Sequence, residues 1–181
     1  MASSVPELSP RAREIVDAAR ELLEEEGYAA LSMRRVADRL GIQAPSLYKH
    51  LPDKRALETA LIAAGFEEWG DAFREAAAQE DPLPALVSAY REFARAHPHL
   101  YRLMTERPID RDRLPEGLEE RTAAPIVVAA GGDADLARAM WAFAHGMTIL
   151  QLNDRFPAGA DLDASWARGL AALAASARRP A

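Results

Sequence analysis

The stretch Ser32–Arg55, SMRRVADRLGIQAPSLYKHLPDKR, decides the fold. It reads as two short helices joined by a tight turn. Ser32 is a plausible N-cap, and Arg34 to Leu40 carries Val36, Ala37 and Leu40 at helical spacing. Gly41 supplies the left-handed residue that ends a helix cheaply. Pro45 falls in the first turn of the second helix, where its missing N–H costs nothing. Leu47 and Leu51, four residues apart, mark the buried face; Tyr48, Lys49 and His50 lie largely off it. A small Ala37, a turn glycine and an apolar Leu47 suit two closely crossing helices. The pattern is a helix-turn-helix, whose second helix can enter a DNA major groove.

Charge supports this reading. The window holds six basic residues (Arg34, Arg35, Arg39, Lys49, Lys54, Arg55) and two acidic ones (Asp38, Asp53), a net +4. The rest of the chain has 16 basic and 26 acidic residues, so a single basic island stands on an acidic protein. Arg35, Arg39 and Arg55 also read as ordinary solvated charges.

Position by position from Leu31 to Leu57, with LGI, PSLYKHL and DKRAL, the stretch resembles the DNA-binding signature of the TetR family of bacterial transcriptional regulators. The resemblance takes in the preceding helix and covers about the first third of the chain. It implies phosphate contacts for Tyr48, His50 and Lys54. Where the family's namesake has a base-reading glutamine, this chain has Ala44; Met33 likewise replaces a phosphate-contacting threonine. In the second half, YREFARAHPHLYRLM and the later MWAFAHGM resemble the regulatory domain of family members named for a Trp…His-Gly signature, here Trp141, His145 and Gly146. That resemblance implies a helical domain for a ligand or for dimerisation and names no inducer.

With 181 residues, 49% hydrophobic and 28% charged, the chain has the balance of a soluble globular protein of one or two small domains. There is no cysteine, which excludes disulfides and thiol chemistry. No apolar run approaches the roughly 20 residues of a membrane span, and MASSVPELSPR has no apolar signal core, so a cytoplasmic protein is expected. GxSxG, HExxH and phosphate-binding glycine loops are absent, so an enzyme is not expected. His97 and His99 flank a proline without a third ligand at sensible spacing; neither a metal nor a cofactor is predicted.

The remaining pattern is helical throughout, predicting an all-α chain of about nine helices. Residues 1–8 are expected to be disordered, 9–56 to form a three-helix DNA-binding head, and 57–181 a larger regulatory and dimerisation domain. Ser9-Pro10 opens a helix to about Glu26, buried through Ile15, Ala18, Ala19, Leu22 and Leu23. Glu24-Glu25-Glu26 opposes the dipole at its C-terminus and reads as a solvated end. Asp53 looks like the N-cap of a long helix to about Gln79, the mechanical link between the domains. Further helices are expected from Asp81-Pro82, over His99–Glu106, over 118–130 with a kink at Pro125, from Asp133 to about Phe156, and from about Leu162 to Arg178.

The helix after Asp133 is apolar on more than one side. Met140, Phe143, Met147 and Leu150 step by three and four, as do Trp166, Leu170 and Leu173 in the last helix. One apolar face suffices for a monomer core; two imply a partner surface, so these seven residues are predicted to form a four-helix interface between two copies. The alternative is a wholly internal helix.

For the site itself, Ser46, Tyr48, Lys49, His50 and Lys54 suit phosphates, the last helped by a helix N-terminus. Arg34 suits guanine, Gln43 adenine, and Ala44 and Pro45 thymine methyls. Ser32 and Met33, heading the first helix of the motif, complete the predicted DNA-binding set. Phe66, Trp69, Phe73, Tyr90, Phe93, Tyr101, Trp141 and His145 are candidates to line a pocket for a mostly apolar inducer, though each aromatic also suits a plain core. The predicted function is a homodimeric, ligand-released repressor on a double-stranded DNA operator. A helical adaptor or small-molecule binder without specific DNA binding is the alternative.

Overall fold

A computed structural model describes residues 8–176. Among them the chain forms nine α-helices: α1 (Pro10–Glu26), α2 (Met33–Arg39), α3 (Ala44–Leu47), α4 (Lys54–Ala77), α5 (Pro82–Ala96), α6 (Pro98–Thr105), α7 (Leu118–Ala129), α8 (Ala134–Leu152) and α9 (Leu162–Ser176). Two single 3₁₀ turns, Tyr28–Ala30 and Arg111–Arg113, lie between them, and no described residue is in a strand. The all-α expectation holds. Residues 1–7, expected to be disordered, and the predicted end of the last helix at Arg178 lie outside the described residues.

The backbone divides into two compact units. The first contains residues up to Glu68 together with His97–Glu119; the second contains Trp69–Ala96 and the chain from Glu120 onward. The first unit therefore reaches past residue 56 and takes in α6.

Local chemistry sets the helix ends in the first unit. The Ser9 hydroxyl accepts from the Ala12 N–H at 3.2 Å, Pro10 occupies the first turn, and Gly27 closes α1 at φ 78°. The Ser32 hydroxyl accepts from the Arg35 N–H at 3.3 Å, and Gly41 turns the chain at φ 66°. Asp53 accepts from the Ala56 N–H at 2.7 Å and opens α4. That hydrogen bond, and then the Arg113 guanidinium, hold its carboxyl below the usual carboxylate range against the opposing effect of burial. Ile15, Leu23, Leu31, Val36, Leu47, Leu57 and Leu61 are fully buried, as are Leu100, Tyr101 and Met104 on α6.

The three glutamates ending α1 are not merely solvated. Glu24 accepts from the backbone N–H groups of His99 at 3.1 Å and Leu100 at 2.8 Å, satisfying two orphan donors of α6, whose own N-cap residue, His97, makes no side-chain cap bond. Glu25 takes Arg39 in a fork at 2.6 and 2.7 Å, and Glu26 takes Arg35 at 2.6 Å. The fork holds the Glu25 carboxyl below its usual range and the Arg39 guanidinium above its own. A charge run that opposes its own helix dipole thus docks α2 and caps α6. Glu24→Ala is expected to cost about 1–2 kcal/mol, the worth of a lost cap. Urea denaturation checks this, and an unchanged midpoint would remove Glu24 from the account.

In the second unit, Trp69 and Phe73 on α4 meet Tyr90 and Phe93 on α5, with ring centroids 4.8–5.2 Å apart around Trp69. Gly70 lets α4 approach α7; a Cβ there would stand 3.4 Å from the Thr122 hydroxyl. Pro125 lies inside α7 and is buried. The helix α8 stops at Leu152, four residues short of the predicted end. Asn153 caps it, Asp154 takes φ 50°, and the Arg155 N–H returns to the Leu150 carbonyl at 2.9 Å. An aspartate tolerates the left-handed region better than most residues, so the apolar period ends before its last member, Phe156. Asn153–Asp161 becomes a loop, beyond which Trp166 of α9 docks on α8: its Nε1 donates to Gln151 Oε1 at 2.9 Å, and Phe143 meets its ring edge-on at 5.5 Å.

Candidate nucleic-acid interface

The motif places its polar side chains outward by burying Leu47 and Leu51. The Leu51 N–H bonds the Leu47 carbonyl at 2.9 Å, so the turn after α3 continues the helical direction and anchors at both leucines. Tyr48, Lys49 and His50, between the anchors, face solvent. Tyr48 is 50% exposed, which removes the reading of it as a packed core aromatic. Gln43, Pro45 and Ser46 are exposed and Ala44 is half-buried. Arg34, on α2, is 87% exposed along its side chain and meets Asp38 only at 4.0 Å.

The other cations of the window are engaged. Arg35 and Arg39 hold α1 as described, and Arg55 pairs with Asp110 at 3.1 Å. Lys54 lies 3.5 Å from Glu58 and 4.2 Å above the Tyr28 ring, with Arg107 on the same ring at 3.3 Å. The tyrosine hydroxyl donates to Glu58 at 2.6 Å. The formal +4 of the window therefore overstates what faces outward. The exposed residues not held by a close carboxylate are Arg34, Lys49 and His50, with Lys54 half-exposed at the start of α4; Arg55 is exposed but paired.

One predicted contact needs correction. Met33 is 6% exposed and belongs to the core rather than to the DNA-facing surface. Ser32 is half-buried; its hydroxyl accepts the Arg35 N–H at the cap and keeps its own O–H as a donor.

The predicted ligand residues separate. Phe66 and Tyr101 belong to the first unit, the first half-buried and the second fully buried. Trp69, Phe73, Tyr90 and Phe93 pack against one another in the second unit. Trp141 is 44% exposed on α8, with the His145 ring stacked beside it at 5.9 Å. A cleft of about 360 Å³ in the second unit is lined by different residues, among them Arg91, Arg95, Thr148 and Gln151. The sequence signal for it was weak: two arginines one helical turn apart on α5, in a segment read for its aromatics.

The predicted dimer residues also divide. Met140, Trp166 and Leu170 are buried within the chain itself and are not surface, a correction to their expected role. Phe143, Met147 and Leu173 are half-buried. Leu150, 42% exposed, and Trp141 are the exposed large apolar residues of α8, about half a turn apart around the helix, and Ala164, Ala167, Ala171 and Ala175 are exposed along α9. His97 and His99 do not converge on a shared ligand: His97 Nε2 is 3.1 Å from Glu68, and the His99 ring lies beside Gly27.

Residues 15–61 match the family described as bacterial regulatory proteins, tetR family, and residues 83–173 match the tetracyclin repressor-like C-terminal domain. The chain is 28% identical over 149 residues to an uncharacterized HTH-type transcriptional regulator of Mycobacterium tuberculosis, Rv0681, covering 76% of this chain and 68% of that one. It is 35% identical over 95 residues to the class D tetracycline repressor protein of Escherichia coli, covering 46% and 42%. The chain thus spans less than half the length of that repressor. Among solved structures, a TetR variant from Acinetobacter baumannii AYE in complex with minocycline aligns with a TM-score of 0.64 at 25% identity, over 90% of this chain and 93% of that one. Apo ActR from Streptomyces coelicolor shares the fold, with a TM-score of 0.61 at 22% identity over 92% and 93%.

Proposed function

As the chain belongs to the TetR family of bacterial transcriptional regulators, we propose that it is a homodimeric repressor that holds a near-palindromic operator through Ser32–Lys54 and lets go when a small molecule binds its second half. The observation that carries this reading is the outward run Tyr48–Lys49–His50 beside Arg34. The Lys49 and His50 side chains make no hydrogen bond or ion pair among the described residues, and the Arg34 side chain has only a loose, solvated one. Such a pair is worth a few tenths of a kcal/mol and yields readily to a guanine.

In this reading Tyr48, Lys49, His50, Ser46 and the α4 N-terminus with Lys54 position the head on phosphates. Arg34, Gln43, Pro45 and Ala44 read base edges; Ala44 offers a methyl and no hydrogen bond, so the step it faces is read by contact or by Gln43. Residues 9–56 supply the head, and 57–181 the regulatory part. The open sides of α8 and α9 supply the surface between copies: Trp141 and Leu150 are large apolar groups in water, and the alanines of α9 allow close approach. A dimer sets two heads about 34 Å apart for successive major grooves. Ligand binding shifts α4 and with it the spacing, so ligand and operator oppose each other by a coupling of about 1–3 kcal/mol. In this reading the protein acts in the cytoplasm on its double-stranded DNA operator. No helix among the described residues is long and apolar enough to cross a membrane. The complex of the Acinetobacter baumannii TetR variant with minocycline supports a small-molecule ligand in this reading.

The test is base-resolved. Arg34→Ala is expected to reduce discrimination at one base pair per half-site by about 1–3 kcal/mol while leaving binding to other positions ranked as before. Gel shifts on single-substituted operators check it. Equal weakening on every sequence would make Arg34 a phosphate contact and shift base reading onto Gln43.

A further inference from the structure

Arg107 stands outside Ser32–Lys54, two residues past the end of α6, yet its guanidinium lies 3.3 Å from the centroid of the Tyr28 ring. The Lys54 ammonium lies 4.2 Å from the same centroid. Both distances are well inside the roughly 6 Å of a cation–π contact. The Tyr28 hydroxyl donates to Glu58 at 2.6 Å, and Glu58 is also the carboxylate beside Lys54, at 3.5 Å. One ring thus gathers two cations and one carboxylate from three stretches of the chain.

These charges do not cancel. Arg107 makes no ion pair among the described residues, and the charged side chains around it are engaged with one another. Glu106 pairs with Arg102 at 3.2 Å, Asp110 with Arg55 at 3.1 Å, and Asp53 with Arg113 at 3.1 Å. Lys54, Arg107 and Glu58 together carry a net charge of +1. Two like charges held on one ring repel, and an anion between them relieves the repulsion. The cations are also the reachable part: Arg107 is exposed and the Lys54 side chain 39% exposed, against 21% for Glu58. The gap between the two cations is at most the sum of their distances to the shared centroid. Two charge-assisted hydrogen bonds of about 2.8 Å, one on each side of a phosphate, span such a gap. Lys54 is the first residue of α4, whose unpaired N–H groups add to the attraction for that phosphate.

We propose that Arg107 is a further phosphate ligand of the operator interface: it shares one backbone phosphate with Lys54, and the Tyr28 ring, tied to Glu58, holds the two cations together. The proposal rests on the operator-binding reading above and extends the interface beyond the helix-turn-helix to the segment after α6. The charge count fixes what Arg107 does. The three groups together neutralise one phosphate; without Arg107, Lys54 and Glu58 cancel and neutralise none.

Operator titrations of the full chain over a range of salt concentrations test it. Arg107→Gln is expected to weaken binding about tenfold at physiological salt. The slope of log affinity against log salt should become shallower by about 2, one phosphate at each of two heads. Arg107 is exposed, so the helical circular dichroism and the unfolding midpoint should not change. Arg107→Lys should keep the slope of the unaltered chain. Adding Glu58→Gln to Arg107→Gln returns the net charge to that of the unaltered trio, while the glutamine carbonyl still accepts from Tyr28; the slope should recover. A purely structural role for Arg107 would show no such recovery. An unchanged slope in Arg107→Gln, or a lost slope that neither Arg107→Lys nor the added Glu58→Gln restores, would overturn the proposal. An unaltered chain that binds no operator overturns the repressor reading and this proposal together. An Arg107→Gln complex of full strength and slope overturns this proposal alone.

Discussion

Trp166→Ala is expected to cost about 3–5 kcal/mol of folding stability, the largest loss from any single side chain discussed. Trp166 is only 2% exposed and fastens α9 to α8. Truncation leaves three things undone at once. The Gln151 carbonyl loses its donor at 2.9 Å, Phe143 loses the ring it meets edge-on, and Arg91 loses the aromatic surface beside it. Trp166→Phe, which keeps most of the apolar volume, should cost only about 1–2 kcal/mol, the share of the unmatched Gln151 and the smaller ring. Urea denaturation of both variants checks the order. A loss below about 1 kcal/mol for alanine would mean that α9 is not held by this contact. A loss that grows with protein concentration would return Trp166 to the interface between copies, where the sequence pattern had placed it.

The second large effect is on DNA. Tyr48→Ala combined with Lys49→Ala is expected to weaken operator binding about 100-fold or more at fixed salt, since a charge-assisted phosphate contact is worth about 1.5–3 kcal/mol. Both side chains are exposed, so the far-ultraviolet circular dichroism and the unfolding midpoint should not change. One lysine lost from each of two heads removes two phosphate contacts, so the slope of log affinity against log salt should become shallower by about 2. An unchanged slope with unchanged affinity would take the turn after α3 out of the interface. Reduced affinity with an unchanged slope would leave Tyr48 alone as the contact.

The helices and the motif were legible because their signals are local. Ser9-Pro10, Ser32, Gly41 and Asp53 each act within four residues, and the structure uses each as the sequence indicates. What could not be read depends on partners distant in the chain. Glu24 opposes the dipole of its own helix, and its use appears only when residues 99 and 100 arrive, 75 and 76 positions later. Arg35 and Arg39 read as ordinary solvated charges until Glu26 and Glu25 are seen beside them. Apolar periodicity reports that a face is covered and not what covers it, so Met140, Trp166 and Leu170 had the same pattern whether they met their own chain or a copy. Met33 failed as a contact for a related reason: its place in the motif was carried over by resemblance, while its apolar chemistry already suited the core. The cleft was invisible because it depends on where α8 stops, and an Asn-Asp pair in an otherwise apolar run is a weak terminator on paper.

The central claim is that two copies of Ser32–Lys54 read a near-palindrome. Selection of bound sequences from a random double-stranded DNA pool, using the full chain at 150 mM salt, tests it most directly. The expected result is an inverted repeat with half-sites about one helical turn apart, lost on Tyr48→Ala/Lys49→Ala and altered at one position by Arg34→Ala. Recovery of no enriched sequence, in protein freed of small molecules by refolding, would contradict it. That outcome would leave a helical protein that reads no DNA.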